Sequence, residues 1–160
     1  MQAELYWICK IGNGSLATMP RPRGGDWLED EISSLKQSCV DVVVSLLEDH
    51  ENHELELGRE GACCENAEIL FLSYPIRDRS IPSSGPKTRE FAQAIFALLR
   101  DGKNVAIHCR GGIGRSSVIA ACVMMLSGMT AEEALLKIEN KRGCLIPDTM
   151  EQREWVKRFC

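Results

Sequence analysis

The sequence predicts a single α/β domain with a central, mostly parallel sheet of four or five strands and helices on both of its faces. Two observations support this prediction. Short apolar segments, several of them β-branched, alternate with longer segments whose apolar residues recur at helical spacing, as is typical of parallel sheets. The chain has 160 residues, enough for one substantial core. No internal repeat or low-complexity tract interrupts it, so we expect one domain over residues 1–160.

The first 40 residues predict two strands and a helix. The segments LYWICKIG and SLATM have the composition of short strands, and Gly12-Asn13-Gly14 between them is a turn signal. A loop rich in Pro and Gly follows. A helix is then expected from about Asp26, because four apolar residues lie at helical spacing: Trp27, Leu28, Ile32 and Leu35.

The middle of the chain predicts two further strands separated by an acidic segment. VDVVVSLLE is almost wholly apolar, as expected for a buried strand of a parallel sheet. Residues 48–68 carry eight acidic side chains against one arginine, which favours a solvated helix and loop. EILFLSYPI predicts another strand, and the loop RDRSIPSSGP follows it.

The last 73 residues predict four helices around one more strand. A helix from Thr88 carries an apolar stripe formed by Phe91, Ile95, Leu98 and Leu99. NVAIHC predicts a strand, and GRSSVIAACVMML a helix that is buried all round. TAEEALLKIENKRG opens with the capping box Thr130-x-x-Glu133. The final helix is expected from near Asp148 towards Phe159.

The composition excludes several classes of protein. Nineteen Lys and Arg residues against 23 Asp and Glu residues give a formal net charge of −4, whereas a general nucleic-acid binder is usually basic. No apolar run approaches the roughly 20 residues needed to cross a bilayer. The N-terminus lacks the basic-then-apolar order of a secretory signal. We therefore expect a cytoplasmic monomer with no nucleic-acid or membrane partner.

The eight cysteines favour reduced thiols over a disulfide framework, because the composition is that of an ordinary globular enzyme. The adjacent pair Cys63 and Cys64 has no C-x-x-C spacing, and only two histidines lie nearby. We therefore expect no metal site and no cofactor.

The segment HCRGGIGRSS, residues 108–117, lies between a predicted strand and a predicted buried helix. In α/β folds ligands bind at the carboxyl ends of the strands, and glycine-rich turns there commonly hold phosphate. A Walker A loop needs Lys where this chain has Arg115, and the dinucleotide fingerprint lacks its third glycine. Cys109, five intervening residues, Arg115 and Ser116 remain as the pattern to explain.

This spacing suits phosphoryl transfer to sulfur. A thiol at a helix N-terminus beside an arginine is favoured as the reactive thiolate. Arg115 can bind two phosphate oxygens, and the backbone amides of residues 110–115 can bind the others. Ser116 can donate a hydrogen bond to the sulfur. His108 can hold the loop backbone, although a satisfied core histidine is the simpler interpretation of such a residue.

Transfer to sulfur also requires a proton donor for the leaving oxygen. Asp78 follows another strand end, 31 residues before Cys109, and is the candidate; the alternative is a turn-capping aspartate. Asp101 is a weaker candidate, because it lies in a helix-ending turn. We also expect three arginine-bearing segments to converge on a positive mouth: Arg21 and Arg23, Arg77 and Arg79, Arg110 and Arg115.

The segment HCRGGIGRS resembles the H-C-x5-R-S signature of cysteine-dependent protein tyrosine and dual-specificity phosphatases. PIRD resembles the general-acid loop of the compact dual-specificity group, and the double glycine is most similar to the kinase-associated phosphatase branch. The resemblance extends from about Val40 to the end of the chain. Low-molecular-weight tyrosine phosphatases carry loop and acid in the opposite order, and rhodaneses lack the upstream acid.

The resemblance implies a role for each position. Cys109 is the nucleophile, Arg115 the phosphate clamp, Ser116 the aid to thiolate departure, and Asp78 the general acid and then base. Gln152 falls where relatives position the hydrolytic water, although a solvent-facing helix glutamine fits equally well. The phosphate-binding loop comprises His108, Arg110, Gly111, Gly112, Ile113, Gly114 and Arg115.

The implied function is a metal-free phosphatase that acts on a phosphorylated protein, with phosphotyrosine preferred and some dual specificity. One alternative is the same chemistry on an inositol lipid, nucleotide or RNA phosphate; the loop lacks the lysines typical of lipid phosphatases. A catalytically dead phosphate-binding module is the other alternative. A second cysteine could trap an oxidised Cys109 as a disulfide, and the candidates are Cys39, Cys122 and Cys144.

Overall fold

The computed structural model describes residues 4–159 and confirms the α/β architecture. Its sheet has five strands in the order β1-β2-β5-β3-β4. β1 pairs with β2 in antiparallel fashion, and the other neighbouring strands are parallel. The strands are β1 (Tyr6–Ile11), β2 (Gly14–Met19), β3 (Val42–Ser45), β4 (Leu70–Ser73) and β5 (Val105–His108).

Helices cover both faces of the sheet. In the described part of the chain these are α1 (Leu28–Gln37), α2 (Asp49–Glu54), α3 (Glu60–Asn66), α4 (Gly85–Arg100), α5 (Arg115–Leu126), α6 (Ala131–Arg142) and α7 (Met150–Arg158). A short 3-10 helix at Gly25–Trp27 leads into α1.

The apolar core forms two clusters, one on each face of the sheet. α4, α5, α6 and α7 contribute to the larger cluster, and α1 and α3 to the smaller. α5 is enclosed on all sides, with residues 115–124 all buried, as its uniformly apolar sequence predicts. Because β5 is the central strand and α5 follows it directly, the turn between them lies at the centre of the domain.

Two helix boundaries differ from the prediction for local reasons. α4 begins at Gly85 rather than at Thr88, because the Ser84 side chain accepts a hydrogen bond from the Lys87 N–H and Pro86 is tolerated in the first turn. α7 begins at Met150 rather than near Asp148, with Thr149 as its N-cap residue.

The prediction for residues 48–68 is wrong in two respects. The segment forms two helices rather than one, and not all of its carboxylates are solvated: Glu51 and Glu60 are each only 1% exposed. Both point towards the turn that follows β5. No helix in residues 4–159 is long and apolar enough to cross a membrane.

The enclosed position of α5 makes a stability prediction. Ile119→Ala should lower the free energy of unfolding by about 2–5 kcal/mol, because it removes buried methyl groups and leaves a cavity. The matched control is Leu136→Ala on α6, where the side chain is 57% exposed and the change should stay within about 0.5 kcal/mol. Urea unfolding measures both, and equal effects would contradict the burial of α5.

Candidate active site

The site is built on the turn between β5 and α5, which we call the phosphate loop (residues 109–114). His108 ends β5, and its neighbours in the sheet are Ser45 at the end of β3 and Met19 at the end of β2. These strands are parallel, so their following loops lie at one edge of the sheet. The phosphate loop therefore lies at the edge of the sheet where the loops after β2 and β3 begin.

Two glycines allow the phosphate loop to pack closely. Gly112 has φ +72°, and a Cβ atom there would lie 2.6 Å from the backbone carbon of Met19. At Gly114 a Cβ atom would meet the Asp148 carboxylate. Glycine is thus required at position 112 by the backbone conformation and by contact with the Met19 backbone. At position 114 it is required only by the neighbouring Asp148 side chain.

Arg142, at the end of α6, supports the loop from outside. Its Nε donates to the Gly112 carbonyl at 3.0 Å and its Nη2 to the Gly111 carbonyl at 3.1 Å. Its guanidinium also stacks on the Tyr6 ring, 4.1 Å from the centroid. Arg142 binds these carbonyl groups on the outer side of the loop. The N–H groups of the loop can therefore point inward and bind an anion. Arg142 was not predicted from the sequence, because it belongs to no motif.

The nucleophile candidate and its predicted helper are in contact. Cys109 is 3% exposed, and its Sγ lies 3.4 Å from Ser116 Oγ in the first turn of α5. A hydroxyl at this distance can donate a hydrogen bond to a thiolate. The geometry therefore fits the role that the sequence predicts for Ser116.

Arg115 is held in a cage of acceptors. Its two Nη atoms donate to the two Glu51 carboxylate oxygens at 2.8 and 2.9 Å, and Nη1 also donates to the Ile76 carbonyl at 2.9 Å. Asp78 Oδ1 lies 2.9 Å from Nη2. Three guanidinium N–H groups thus donate hydrogen bonds, and Asp78 adds an ion pair. Within residues 4–159 no acceptor binds the Nε–H, which is therefore available to a ligand.

Asp78 reaches the site from the loop after β4. It is 45% exposed although its carboxylate contacts the buried Arg115, so it lies at the opening of the site. The following residue, Arg79, has φ +58°, a strained conformation for a residue with a side chain. The interpretation of Asp78 as a mere turn cap is therefore not supported, since its partner is the arginine of the signature.

The comparisons with known proteins agree with this geometry. The family model described as "Polymorphic toxin system, DSP-PTPase phosphatase" matches residues 17–129. The chain belongs to the dual-specificity and tyrosine phosphatase family. The structure of Tk-PTP in its active form is 31% identical, with a TM-score of 0.76 over 97% of this chain and 95% of that one.

One further solved structure shares the fold, and one curated protein matches part of the chain. The structure of kinase-associated phosphatase with its catalytic cysteine replaced by serine has a TM-score of 0.88 at 17% identity, over 99% of this chain and 94% of that one. Cyclin-dependent kinase inhibitor 3 of Rattus norvegicus is 27% identical over 93 residues, which are 57% of this chain and 43% of its own. The phosphatase thus spans less than half of that curated relative.

Glu51 belongs to the site through its contact with Arg115, and it was not predicted from the sequence. It lies in α2, in a capping box with Glu48. Burial acts to raise the pKa of Glu51, but the hydrogen bonds from Arg115 and from the Glu48 N–H, together with the charges of Arg115 and Arg110, outweigh burial and hold the pKa below its usual range. The carboxylate is therefore charged at neutral pH and fixes the plane of the guanidinium. The sequence feature that could have indicated Glu51 is its position shortly after the end of β3.

His108 directly precedes Cys109 and contacts the backbone at the start of the phosphate loop. Its Nδ1 is 3.2 Å from the Cys109 carbonyl oxygen, and its Nε2 is 2.6 Å from Oε1 of Glu60 in α3. Burial acts to lower the pKa of His108, but the facing Glu60 carboxylate outweighs burial and raises it. Glu60, like Glu51, is a buried carboxylate of residues 48–68, and nothing in the sequence distinguishes it from the exposed acidic residues around it.

Gln152 does not face solvent, so that interpretation of it is wrong. The residue is fully buried; its Oε1 accepts from the Thr149 N–H, and its Nε2 donates to the Ser80 carbonyl at 3.0 Å. Ser80 lies two residues after Asp78. Gln152 therefore connects the start of α7 to the loop that carries the general-acid candidate.

The three arginine-bearing segments lie close together, but their guanidinium groups do not all form a positive mouth, because Arg23 pairs with Glu31 and lies over the Trp27 ring. The Arg21 N–H donates to the Arg110 carbonyl at 3.1 Å, which joins the first segment to the phosphate loop. Arg77 and Arg79 are exposed on either side of Asp78. The positive charge is partly offset, because Arg110 lies 3.5 Å from a carboxylate oxygen of Glu54.

The structure limits the candidates for a partner of an oxidised Cys109. Cys39 precedes β3, at the opposite edge of the sheet from Cys109. Cys122 lies six residues beyond Ser116 in α5, a rise of about 9 Å, more than a disulfide can span without backbone movement. Cys144 is exposed in the loop after α6, and the trapping disulfide stays a prediction for it.

The different surroundings of the two glycines lead to a prediction about catalysis. Gly114→Ala should lower kcat/KM for p-nitrophenyl phosphate, and Asp148→Gly in the same chain should restore part of it by removing the clashing carboxylate. Gly112→Ala should also lower kcat/KM but gain nothing from Asp148→Gly, because its clash is with backbone. Equal rescue of both variants would contradict these contacts.

Proposed function

We propose that the phosphatase hydrolyses phosphate esters of phosphorylated proteins, phosphotyrosine above all, through a phosphocysteine intermediate on Cys109. The observation that carries the proposal is the chain of contacts around the loop. Ser116 Oγ lies 3.4 Å from the sulfur, and Asp78 lies 2.9 Å from Arg115, which directly follows the phosphate loop. Nucleophile, clamp and acid thus meet in one site.

Substrate binding replaces one contact of Arg115. A phosphate that accepts from Nε–H and Nη2–H binds in bidentate fashion, and it takes the position on Nη2 that Asp78 holds in the free protein. Glu51 keeps its two hydrogen bonds and prevents rotation of the guanidinium. Binding thereby releases Asp78 next to the ester oxygen, where a proton donor is needed.

The first chemical step forms the sulfur–phosphorus bond. The Cys109 thiolate attacks phosphorus, the bond from phosphorus to the ester oxygen breaks, and Asp78 in its carboxylic acid form gives its proton to that oxygen. The negative charge on the transferred oxygens is stabilised by Arg115 and by the N–H groups of the phosphate loop. The products are the free alcohol or phenol and phosphocysteine.

The second step reverses these roles. Water attacks phosphorus, the Asp78 carboxylate accepts a proton from the water, and the sulfur–phosphorus bond breaks to return the thiolate. The Ser116 hydroxyl donates to the departing sulfur. Gln152 supports this step by holding the loop of Asp78 through the Ser80 carbonyl.

We propose a phosphoprotein as the substrate, because the chain belongs to a family of dual-specificity and tyrosine phosphatases. Initial rates on a phosphotyrosine peptide, a phosphothreonine peptide and an inositol phosphate should fall in that order. The reverse order would favour the non-protein alternative. A cytoplasmic location and a monomeric state stay predictions from the sequence.

Substitutions of the nucleophile Cys109 and of the acid Asp78 should have different kinetic effects. With p-nitrophenyl phosphate in EDTA, Cys109→Ser should abolish turnover. Asp78→Asn should lower kcat by roughly 10²–10⁴-fold on phenyl phosphate, and by less on p-nitrophenyl phosphate, whose better leaving group needs little protonation. Initial rates measure both. Turnover by Cys109→Ser, or an equal loss on the two esters in Asp78→Asn, would contradict the mechanism.

Ser116 should affect only the second step. Ser116→Ala should show a burst of p-nitrophenol equal to the enzyme concentration, followed by slow steady turnover, because the intermediate forms normally and breaks down slowly. Stopped-flow absorbance measures the burst. Ser127→Ala, at the end of the same helix, is the matched control and should keep the wild-type time course. A proportional loss of both phases in Ser116→Ala would rule out a role in thiolate departure.

A further inference from the structure

Both partners of the His108–Glu60 pair lie out of contact with water. The two side chains are 0% and 1% exposed, and Nε2 lies 2.6 Å from Oε1. Glu60 Oε2 has no hydrogen-bond partner in the described part of the chain. Burying a carboxylate with one unsatisfied oxygen costs stability. The pair is therefore better explained by what it does for the neighbouring Cys109 than by stabilisation of the fold.

The hydrogen-bond geometry links the protonation state of the ring to that of Glu60. Nε2 faces a Glu60 carboxylate oxygen at 2.6 Å and Nδ1 faces the Cys109 carbonyl oxygen at 3.2 Å. Beside an ionised Glu60, both contacts are satisfied only by the doubly protonated imidazolium, because a neutral imidazole has only one N–H. The other arrangement that satisfies both contacts is a neutral ring that accepts the proton of a Glu60 carboxylic acid, and it places no positive charge beside Cys109.

The charged groups around this ring are few. Glu60 faces it from α3, Cys109 follows it on the same strand, and Arg115 acts on it from α5. Arg115 is a cation and opposes protonation of the ring, whereas Glu60 favours it. The carboxylate of Glu60 is thus the group that sustains the imidazolium.

We propose that Glu60 is a positioning residue of the phosphatase, which holds His108 doubly protonated and so keeps a fixed positive charge behind Cys109. This proposal rests on the nucleophilic role proposed above for Cys109. A cation next to the nucleophile favours the thiolate over the thiol. The ring also fixes the Cys109 carbonyl, and with it the start of the phosphate loop.

The first test reads the protonation state directly. Ring nitrogen-15 chemical shifts of His108 in the wild type should show two protonated nitrogens at pH 8, and the spectra of the exposed His50 and His53 serve for comparison. In Glu60→Gln one nitrogen of His108 should be deprotonated at the same pH. A neutral His108 in the wild type would overturn the proposal.

The second test measures the nucleophile without any phosphatase turnover. The rate at which iodoacetamide alkylates Cys109 is followed against pH by mass spectrometry of the peptide that contains it. In Glu60→Gln the pH of half-maximal rate should rise by about one unit or more, since a nearby charge shifts such equilibria by that amount. The rate at high pH should match the wild type. An unchanged midpoint would overturn the proposal, even if turnover were lost for another reason.

Matched variants distinguish the proposed effect from a general loss of stability. Glu31→Gln removes another buried carboxylate, which pairs with Arg23, and it should leave the midpoint unchanged. His108→Asn should raise the midpoint, and adding Glu60→Gln to it should have little further effect, because both act through one charge. Additive shifts would show that Glu60 acts without His108, and would overturn the proposal.

The pH dependence of turnover also distinguishes the proposed effect of Glu60 from a purely structural role. The acid limb of the kcat/KM profile should move to higher pH in Glu60→Gln together with the alkylation midpoint, and kcat on the high-pH plateau should stay within a few-fold of the wild type. A uniform loss of kcat/KM at all pH values, with an unshifted midpoint, would assign Glu60 a structural role only. Wild-type protein that is alkylated normally but has no turnover would instead disprove the proposed function.

Discussion

The guanidinium of Arg115 is the group on which the site depends. An ion buried at 1% exposure requires counter-charges and well-directed acceptors. Glu51 supplies both oxygens of a bidentate pair and the Ile76 carbonyl supplies a third acceptor, so the plane of the guanidinium is fixed before any ligand arrives. Only the contact with the half-exposed Asp78 can exchange without loss of this frame.

The topology explains why these groups meet. β3, β5 and β4 are parallel neighbours, and each is followed at the same edge of the sheet by a segment that contributes one ionic group. Glu51 follows β3, Asp78 follows β4, and Arg115 follows β5. The order along the chain is irrelevant to the site, since the sheet brings the three together. The Glu60–His108 pair adds a layer of charge beneath the same edge.

The sequence predicts the architecture and the reacting groups because both leave local patterns. Alternating strands and helices follow from hydrophobic periodicity, and Cys109 and Arg115 follow from a spacing that few other loops share. The supporting residues leave no such pattern. A buried Glu51 or Glu60 looks like any acid on a solvated helix until its distant partner is known. Arg142 is one cation among several near the end of a helix.

The support of the phosphate loop is spread widely along the chain. Tyr6 and Arg142 brace it from outside, Asp148 lies against it, and Gln152 secures the neighbouring acid loop. All four lie beyond residues 17–129, the segment matched by the family model. A short segment that contains only the signature residues would therefore lack the contacts that hold the phosphate loop in shape. Transplanting it into a different scaffold would transfer the reactive atoms without the frame that shapes them.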